Sequence, residues 1–312
     1  MATTMLTSHS QLVLFVSIIT FLIGLPANAL AFWTFSRKLQ QRPLPIDILL
    51  LNLTISDLIF LIFLPFKIKE AADNMLWSLP YFLCPLTGFV FYSTIYTSTF
   101  FLTAVSVERY LSVAFPIRYK QYCRALHVVV VSVFFWVLSS LNLSIVYIMP
   151  FYNPDTSNGS SSPNDCYRIF TPNQLRVLLP VRLELCLVMF CIPFLISCFC
   201  YINFICILSR RPHLSRRRRL RAIGLALGTL LVFALCFGPY NVSHVVGFIT
   251  GISPEWRHLS LLLSTFNACL DPLIFYATSS ALRSTFNHCL TGLRGRFCLR
   301  HCSISRCCPP LV

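Results

Sequence analysis

The chain has 312 residues, of which 56% are hydrophobic, 14% aromatic and only 11% charged. So few charges over this length exclude a soluble globular protein and point to a polytopic membrane protein. The net charge of +15 does not indicate a nucleic-acid partner, because the basic residues fall between apolar runs rather than along one face.

Seven runs long enough to cross a bilayer are predicted at 12–36, 46–70, 81–113, 125–149, 179–208, 218–249 and 258–277. The fold class expected is therefore an all-α membrane protein: an N-terminus of residues 1–11, a seven-transmembrane helix bundle of 12–277, and a tail of 278–312. Arg37, Lys38 and Arg42 follow run one, Arg118, Lys120 and Arg124 follow run three, and Arg210, Arg211 and Arg216 to Arg219 follow run five. The positive-inside rule places that face in the cytoplasm, with the N-terminus outside and the C-terminus inside. Residues 1–11 lack a basic n-region and the first run is too long for a cleaved signal, so it reads as a retained signal anchor.

Run one carries Asn28. Run two carries Asp57, after Asn52-Leu53-Thr54-Ile55-Ser56 and otherwise among leucines and isoleucines. A carboxylate at that depth binds a cation, pairs with a polar group, or is protonated. Asp57, Ser98, Asn267 and Asp271 form a candidate sodium site, and no other cofactor is expected.

Run three is bounded by Cys84 at one end and Glu108-Arg109-Tyr110 at the other, with Tyr92, Tyr96 and Ser98 between them. Cys84 to Arg109 covers roughly 37 Å of helix, about a bilayer with part of its headgroups. Of fifteen cysteines, only Cys84 and Cys166 fall at or beyond the outer face, where oxidation is permitted. A disulfide between them would tie run three to the loop after run four; the alternative is two free thiols.

That loop, about 150–178, contains the well-placed glycosylation sequon at Asn158, whereas the matches at Asn52, Asn142 and Asn241 lie inside runs. Pro65, Pro193, Pro239 and Pro272 interrupt four runs and invite kinks. The basic cluster Arg216 to Arg219 suits a G protein or anionic lipid equally. Beyond Tyr276, Leu282, Phe286 and Leu290 recur every fourth position, as in a short amphipathic helix lying on the membrane. Cys289 and Cys298 are palmitoylation candidates.

Cys84 on run three, Glu108-Arg109-Tyr110, Asp57, Trp136, Pro193, Cys236-Phe237-Gly238-Pro239 and Asp271-Pro272-Leu273-Ile274-Phe275-Tyr276 together resemble the rhodopsin-like G-protein-coupled receptors. Closer in, Leu179-Pro180-Val181-Arg182-Leu183-Glu184-Leu185 and Phe237-Gly238-Pro239-Tyr240-Asn241-Val242-Ser243-His244 are similar to the free fatty acid receptors that sense short-chain carboxylates. Gly24-Leu25-Pro26-Ala27-Asn28 and Pro65-Phe66-Lys67 resemble the same group, near its type two and type three members.

The resemblance implies a plasma-membrane receptor, not an enzyme. Arg182, His244 and Arg257 would hold a carboxylate of the acetate, propionate or butyrate class. Tyr92, Tyr96, Asn142 and Tyr240 would line the pocket. Glu108, Arg109, Tyr110, Phe237, Pro239, Asp271, Pro272 and Tyr276 would form the activation switch, with Glu108 and Arg109 neutralising one another at rest. The implied partners are a heterotrimeric G protein of the inhibitory class, arrestin and the lipid bilayer. Asn142 departs from a histidine of the short-chain receptors, and Arg168 stands where some members place an acid. Phe237 replaces a tryptophan common in the superfamily, and Asp271 an asparagine.

The residues themselves leave two readings of the arginines. Two guanidiniums facing one dry cavity repel and are best satisfied by an anion, which a planar fork matches. Alternatively both snorkel to headgroups, or pair with Glu184 and Glu255. A carboxylate transporter would show a repeated architecture and a mid-membrane site, and neither is visible. No His-Glu-x-x-His or Gly-x-Ser-x-Gly run suggests an enzyme, and run seven contains no lysine for a retinal Schiff base.

Overall fold

The structure, a computed structural model, describes residues 2–41, 43–149, 166, 170–211, 215–279, 281–288 and 291. Asn158, Arg168, Cys289, Leu290 and Cys298 lie outside the described residues. The described residues form helices without strands: α1 (Ala2–Gln41), α2 (Pro45–Ala72), α3 (Leu83–Ala114), α4 (Pro116–Tyr122), α5 (Ala125–Ile148), α6 (Pro172–Glu184), a π-helical segment (Leu185–Cys191), α7 (Ile192–Ser209), α8 (Arg216–Thr250), α9 (Arg257–Thr265), α10 (Asn267–Thr278) and α11 (281–288). Among the described residues, seven stretches are long and apolar enough to cross a membrane: His9–Gln41, Pro45–Ala72, Leu83–Ala114, Ala125–Ile148, Pro172–Ser209, Arg219–Thr250 and Arg257–Ala277.

These stretches match the seven predicted runs, with three differences of extent. Residues 2–11, expected as a separate N-terminus, continue α1 without a break. The fifth span starts at Pro172 rather than 179, because Thr171 caps it: its hydroxyl accepts from the Gln174 amide while the Gln174 side chain accepts from Thr171 N–H. The seventh is two helices, α9 and α10, meeting at Phe266.

Burial decides the role of each helix. α3 is buried along most of its length, through Tyr92, Tyr96, Ser98, Phe101 and Ser106, and is the central strut. α5 is peripheral: it exposes Val130, Phe134 and Leu141 where a lipid-facing surface is expected, and buries Ser132, Ser139, Leu143 and Val146. Its Trp136 donates to the Asn52 side chain on α2 at 3.0 Å.

α1 closes on the seventh span through a small residue. A Cβ on Gly24 would sit 3.1 Å from the Leu61 side chain of α2 and 3.5 Å from Ala268 O of the seventh span, and one turn later the Asn28 amide donates to Ala268 O at 2.7 Å. α8 ends at Gly251, whose φ of 71° supplies the left-handed cap residue.

A disulfide joins Cys84 at the start of α3 to Cys166, with Cα atoms 5.7 Å apart, and Trp77 packs against the pair. In the adjoining turn, the Lys69 and Ser78 side chains bond the Asp73 carboxylate and hold it below its ordinary range. At the opposite end of the bundle lie Arg109, α4 and α11. There Leu282 is buried and Phe286 packs edge-on against Tyr276, ring centres 5.3 Å apart, so α11 is anchored to the seventh span as well as amphipathic.

Candidate functional site

Four elements meet at the Cys84 end of the bundle. Arg182 lies in the last turn of α6, Tyr240 and His244 one turn apart on α8, Arg257 opens α9, and Tyr92 and Tyr96 one turn apart on α3. They line one cavity of about 390 Å³ including its mouth, closed by Leu143, Ile145 and Val146 of α5 and by Phe170. A second opening, lined by Lys67, Glu70 and His258, shares Tyr92 with it.

All three candidate anion ligands are interior: Arg182 is 6% exposed, His244 2% and Arg257 2%. Glu184 and Glu255 are both exposed, and among the described residues the ion pairs are Lys38–Asp47, Lys67–Glu70 and Lys69–Asp73. The structure thus disposes of both bland readings of the arginines. They do not snorkel, and no carboxylate of the described chain neutralises them.

Each arginine is oriented by neutral groups. Arg182 donates to the Ser253 hydroxyl at 3.2 Å and lies 5.0 Å over the Phe170 ring. Arg257 meets the Tyr92 and Tyr240 hydroxyls, while its Nε and one terminal nitrogen have no partner. His244 Nδ1 is also unpartnered. Buried donors left open converge on a space that an anion with two oxygens would fill.

The tyrosines are braced against one another. Tyr92 and Tyr240 stack at 5.9 Å, Tyr240 meets His244 edge-on at 4.5 Å, and Tyr96 donates to the Asn241 side chain at 3.3 Å. This links α3 to α8 through the proposed ligand groups.

Asn142, expected in the pocket, does not line it. Its amide donates to Leu138 O at 2.9 Å within its own helix, and the fourth-span wall is apolar. Adjacent helical positions point about 100° apart, so Leu143 faces inward at the cost of Asn142. Sequence reasoning also missed Ser253 and Phe170. Ser253 sits just past the Gly251 turn and Phe170 four residues after Cys166, both outside the predicted runs, where no local periodicity announces a pocket residue.

Below this cavity lies a smaller one, lined by Asp57, Ser98, Thr94, Phe237, Ser264 and Asn267. Asn267 donates to Asp271 at 2.7 Å, and Asp57 and Asp271 lie close enough to interact. One oxygen each of Asp57, Asp271 and Asn267 is buried without a partner. Two carboxyls side by side need a shared proton or a cation between them, and an all-oxygen set suits a hard ion. The residues therefore fit sodium, although Ser98 already shares its hydroxyl with Ser56 at 3.1 Å. Among the described residues no cluster of three His, Cys, Asp or Glu could hold a transition metal.

Phe237 lines the smaller cavity, 1% exposed and packed edge-on against Phe233. Pro239 lies two residues beyond it, and Pro272 follows Asp271 in α10. In the fifth span, the Ile192 amide bonds Leu187 O in the π register, just ahead of Pro193, which has no amide to give. Thr103 of α3 donates to Pro193 O at 3.3 Å.

At the far end Glu108 accepts from the Tyr119 hydroxyl of α4 at 2.5 Å, and its neighbour Arg109 attracts it electrostatically. Burial and that hydrogen bond push the Tyr119 hydroxyl above its ordinary value. Tyr110 packs edge-on against Phe115 and Phe199, away from this contact. Beside them Lys38 bonds the buried Asp47 at 2.7 Å. Arg216 and Arg217 are exposed at the start of α8.

The 7 transmembrane receptor (rhodopsin family) description matches residues 27–275. The chain is 50% identical to free fatty acid receptor 3 of Mus musculus over 91% of its own length and 88% of that protein. It is also 50% identical to free fatty acid receptor 3 of Homo sapiens (90% and 80% covered) and to free fatty acid receptor 2 of Rattus norvegicus (92% and 87% covered).

Proposed function

The chain belongs to the rhodopsin family of seven-transmembrane receptors and, within it, to the free fatty acid receptors, and we propose on that footing that it detects short-chain carboxylates. It is a multi-pass plasma-membrane receptor that couples to a G protein, and not an enzyme. Equal identity to type two and type three relatives assigns it to neither.

The observation that carries the ligand reading is a pair of buried arginines, Arg182 and Arg257, in one cavity without a carboxylate. The acid's two oxygens take the open Arg257 and His244 nitrogens and the Arg182 fork, and its short alkyl end lies against Leu143, Val146 and Leu185. An acid of about four to six heavy atoms yields at most roughly 6–9 kcal/mol at about 1.5 kcal/mol per atom. Real ligands fall short of that ceiling, so potency is expected in the high-micromolar to millimolar range, since about 4 kcal/mol corresponds to millimolar binding.

The mechanism follows from the supports of these groups. An acid draws α6, α8 and α9 toward α3 through Arg182, His244 and Arg257. The Tyr92–Tyr240 stack passes the movement to Phe237, which borders the sodium cavity. Asp57, Asn267 and Asp271 would hold sodium, whose charge would favour the resting arrangement. At the far end the Tyr119–Glu108 contact opens, freeing the surface around Arg109 and Arg216 to Arg219 for an inhibitory-class G protein, and afterwards for arrestin. The Cys84 end is extracellular, a placement supported by its disulfide.

The test is G-protein activation by acids from formate to decanoate, in the wild type and in Arg182→Ala and Arg257→Ala at matched surface expression. Variants that retain the response to short acids would refute the site. Uptake of radiolabelled acetate without signalling would favour a transporter.

A further inference from the structure

The fifth span contains five cysteines that the receptor mechanism does not use, and two of them meet. Cys186 and Cys191 lie in the π-helical segment Leu185–Cys191, with their sulfur atoms 4.0 Å apart. Five residues apart is a poor spacing in an α-helix: the two Cα atoms are then roughly 8.6 Å apart and on opposed faces. A disulfide cannot bridge more than about 7 Å between Cα atoms without backbone movement. The π-helix hydrogen-bonds each residue to the one five away, so it stacks position 191 over position 186. The thiols meet only because this segment is π-helical.

We propose that Cys186 and Cys191 form a dithiol modification site that closes to an intrahelical disulfide and thereby fixes the fifth span in its π register. The reagent class is a lipid-soluble organic hydroperoxide, which reaches the site from the bilayer. Cys191 is only half-buried, and Leu187, Val188 and Ile192 around it are exposed at 50%, 44% and 52%. One thiol attacks the peroxide oxygen, breaking the O–O bond and giving a sulfenic acid and an alcohol. The second thiol then displaces water from the sulfenic sulfur as the S–S bond forms. Two thiols and one hydroperoxide thus become one disulfide, one alcohol and one water.

The register matters because Arg182 stands one turn before Cys186. Returning the segment to α-helix would turn everything above it by about 100° relative to Pro193 and its Thr103 anchor. The disulfide prevents that turn and keeps the Arg182 face directed at the cavity. Formation of the bond itself does not depend on what the cavity binds.

The experiment uses full-length receptor in native membranes treated with cumene hydroperoxide, then alkylated and analysed by peptide mass spectrometry with and without reduction. A Cys186–Cys191 linkage, about 2 Da lighter than the dithiol, is expected in the wild type. Cys191→Ser should leave Cys186 without an intrahelical partner. Recovery of both thiols alkylated, under conditions that oxidise a glutathione control, would overturn the proposal. So would linkage of either thiol to a different cysteine.

Discussion

Arg182 and Arg257 enter one cavity from the fifth and seventh spans, both buried, with only neutral groups of the described chain between them. Such a pair stores repulsion in the empty receptor that an anion relieves. Arg182→Ala or Arg257→Ala is expected to weaken short-acid potency by at least about 30-fold, since removing one partner of a buried charged contact costs about 2–5 kcal/mol. Arg182→Met should at the same time stabilise the ligand-free receptor, by about 1–4 kcal/mol as seen when buried charges give way to apolar packing. Thermal unfolding of purified receptor, alongside concentration–response curves, reads both signs. A variant that loses response and stability together would point to simple misfolding.

How much of this was legible without coordinates follows from the physics of each feature. The seven spans are written in bulk apolarity and need no tertiary context. The early start of the fifth was also written locally, in the Thr171 and Gln174 capping pair, but polar residues between 172 and 177 masked it from hydropathy. Convergence of Arg182, His244 and Arg257 is not a local property, and only the family resemblance joined them. Asn142 and Leu143 differ by one helical step, below the resolution of any periodicity in so uniformly apolar a run. Tyr119 reaches Glu108 because the chain folds back at Pro116, a tertiary event.

That fold-back sets the second prediction. Tyr119→Phe keeps the ring but removes the hydroxyl, leaving the Glu108 carboxylate without the partner it has in this state. Loss of one charge-assisted hydrogen bond is worth about 1.5–3 kcal/mol. If part of that favours the resting arrangement, basal nucleotide exchange on the G protein rises several-fold without added acid. Unchanged basal exchange at equal surface density would show that this contact does not restrain the receptor.

The buried carboxyl pair gives a third. Asp57 and Asp271 lie together with partnerless oxygens around a small cavity. Replacing choline by sodium should lower acid potency by about five-fold, the low end of the 1–3 kcal/mol typical of coupled sites. Asp57→Asn removes one carboxylate and should abolish the difference between the two ions. A sodium effect that survives Asp57→Asn would place the ion elsewhere.

The Cys84–Cys166 bond closes a loop spanning 82 residues. Chain entropy for a loop of that length suggests about 4.5 kcal/mol at room temperature. In a bilayer the gain is smaller, because spans three and four remain helical and inserted when tertiary contacts are lost, so the open loop has less freedom to surrender. The main effect is then local. Freed from Cys84, Cys166 no longer holds the approach to Phe170, and Arg182 loses the ring beneath its guanidinium. Cys166→Ala is therefore expected to weaken acid potency by about tenfold while lowering the unfolding temperature by only a few degrees. Phe170→Ala, which leaves the disulfide in place, should reproduce most of the potency loss and little of the thermal shift. If Phe170→Ala retains wild-type potency, the disulfide acts on the bundle and not through the cavity wall.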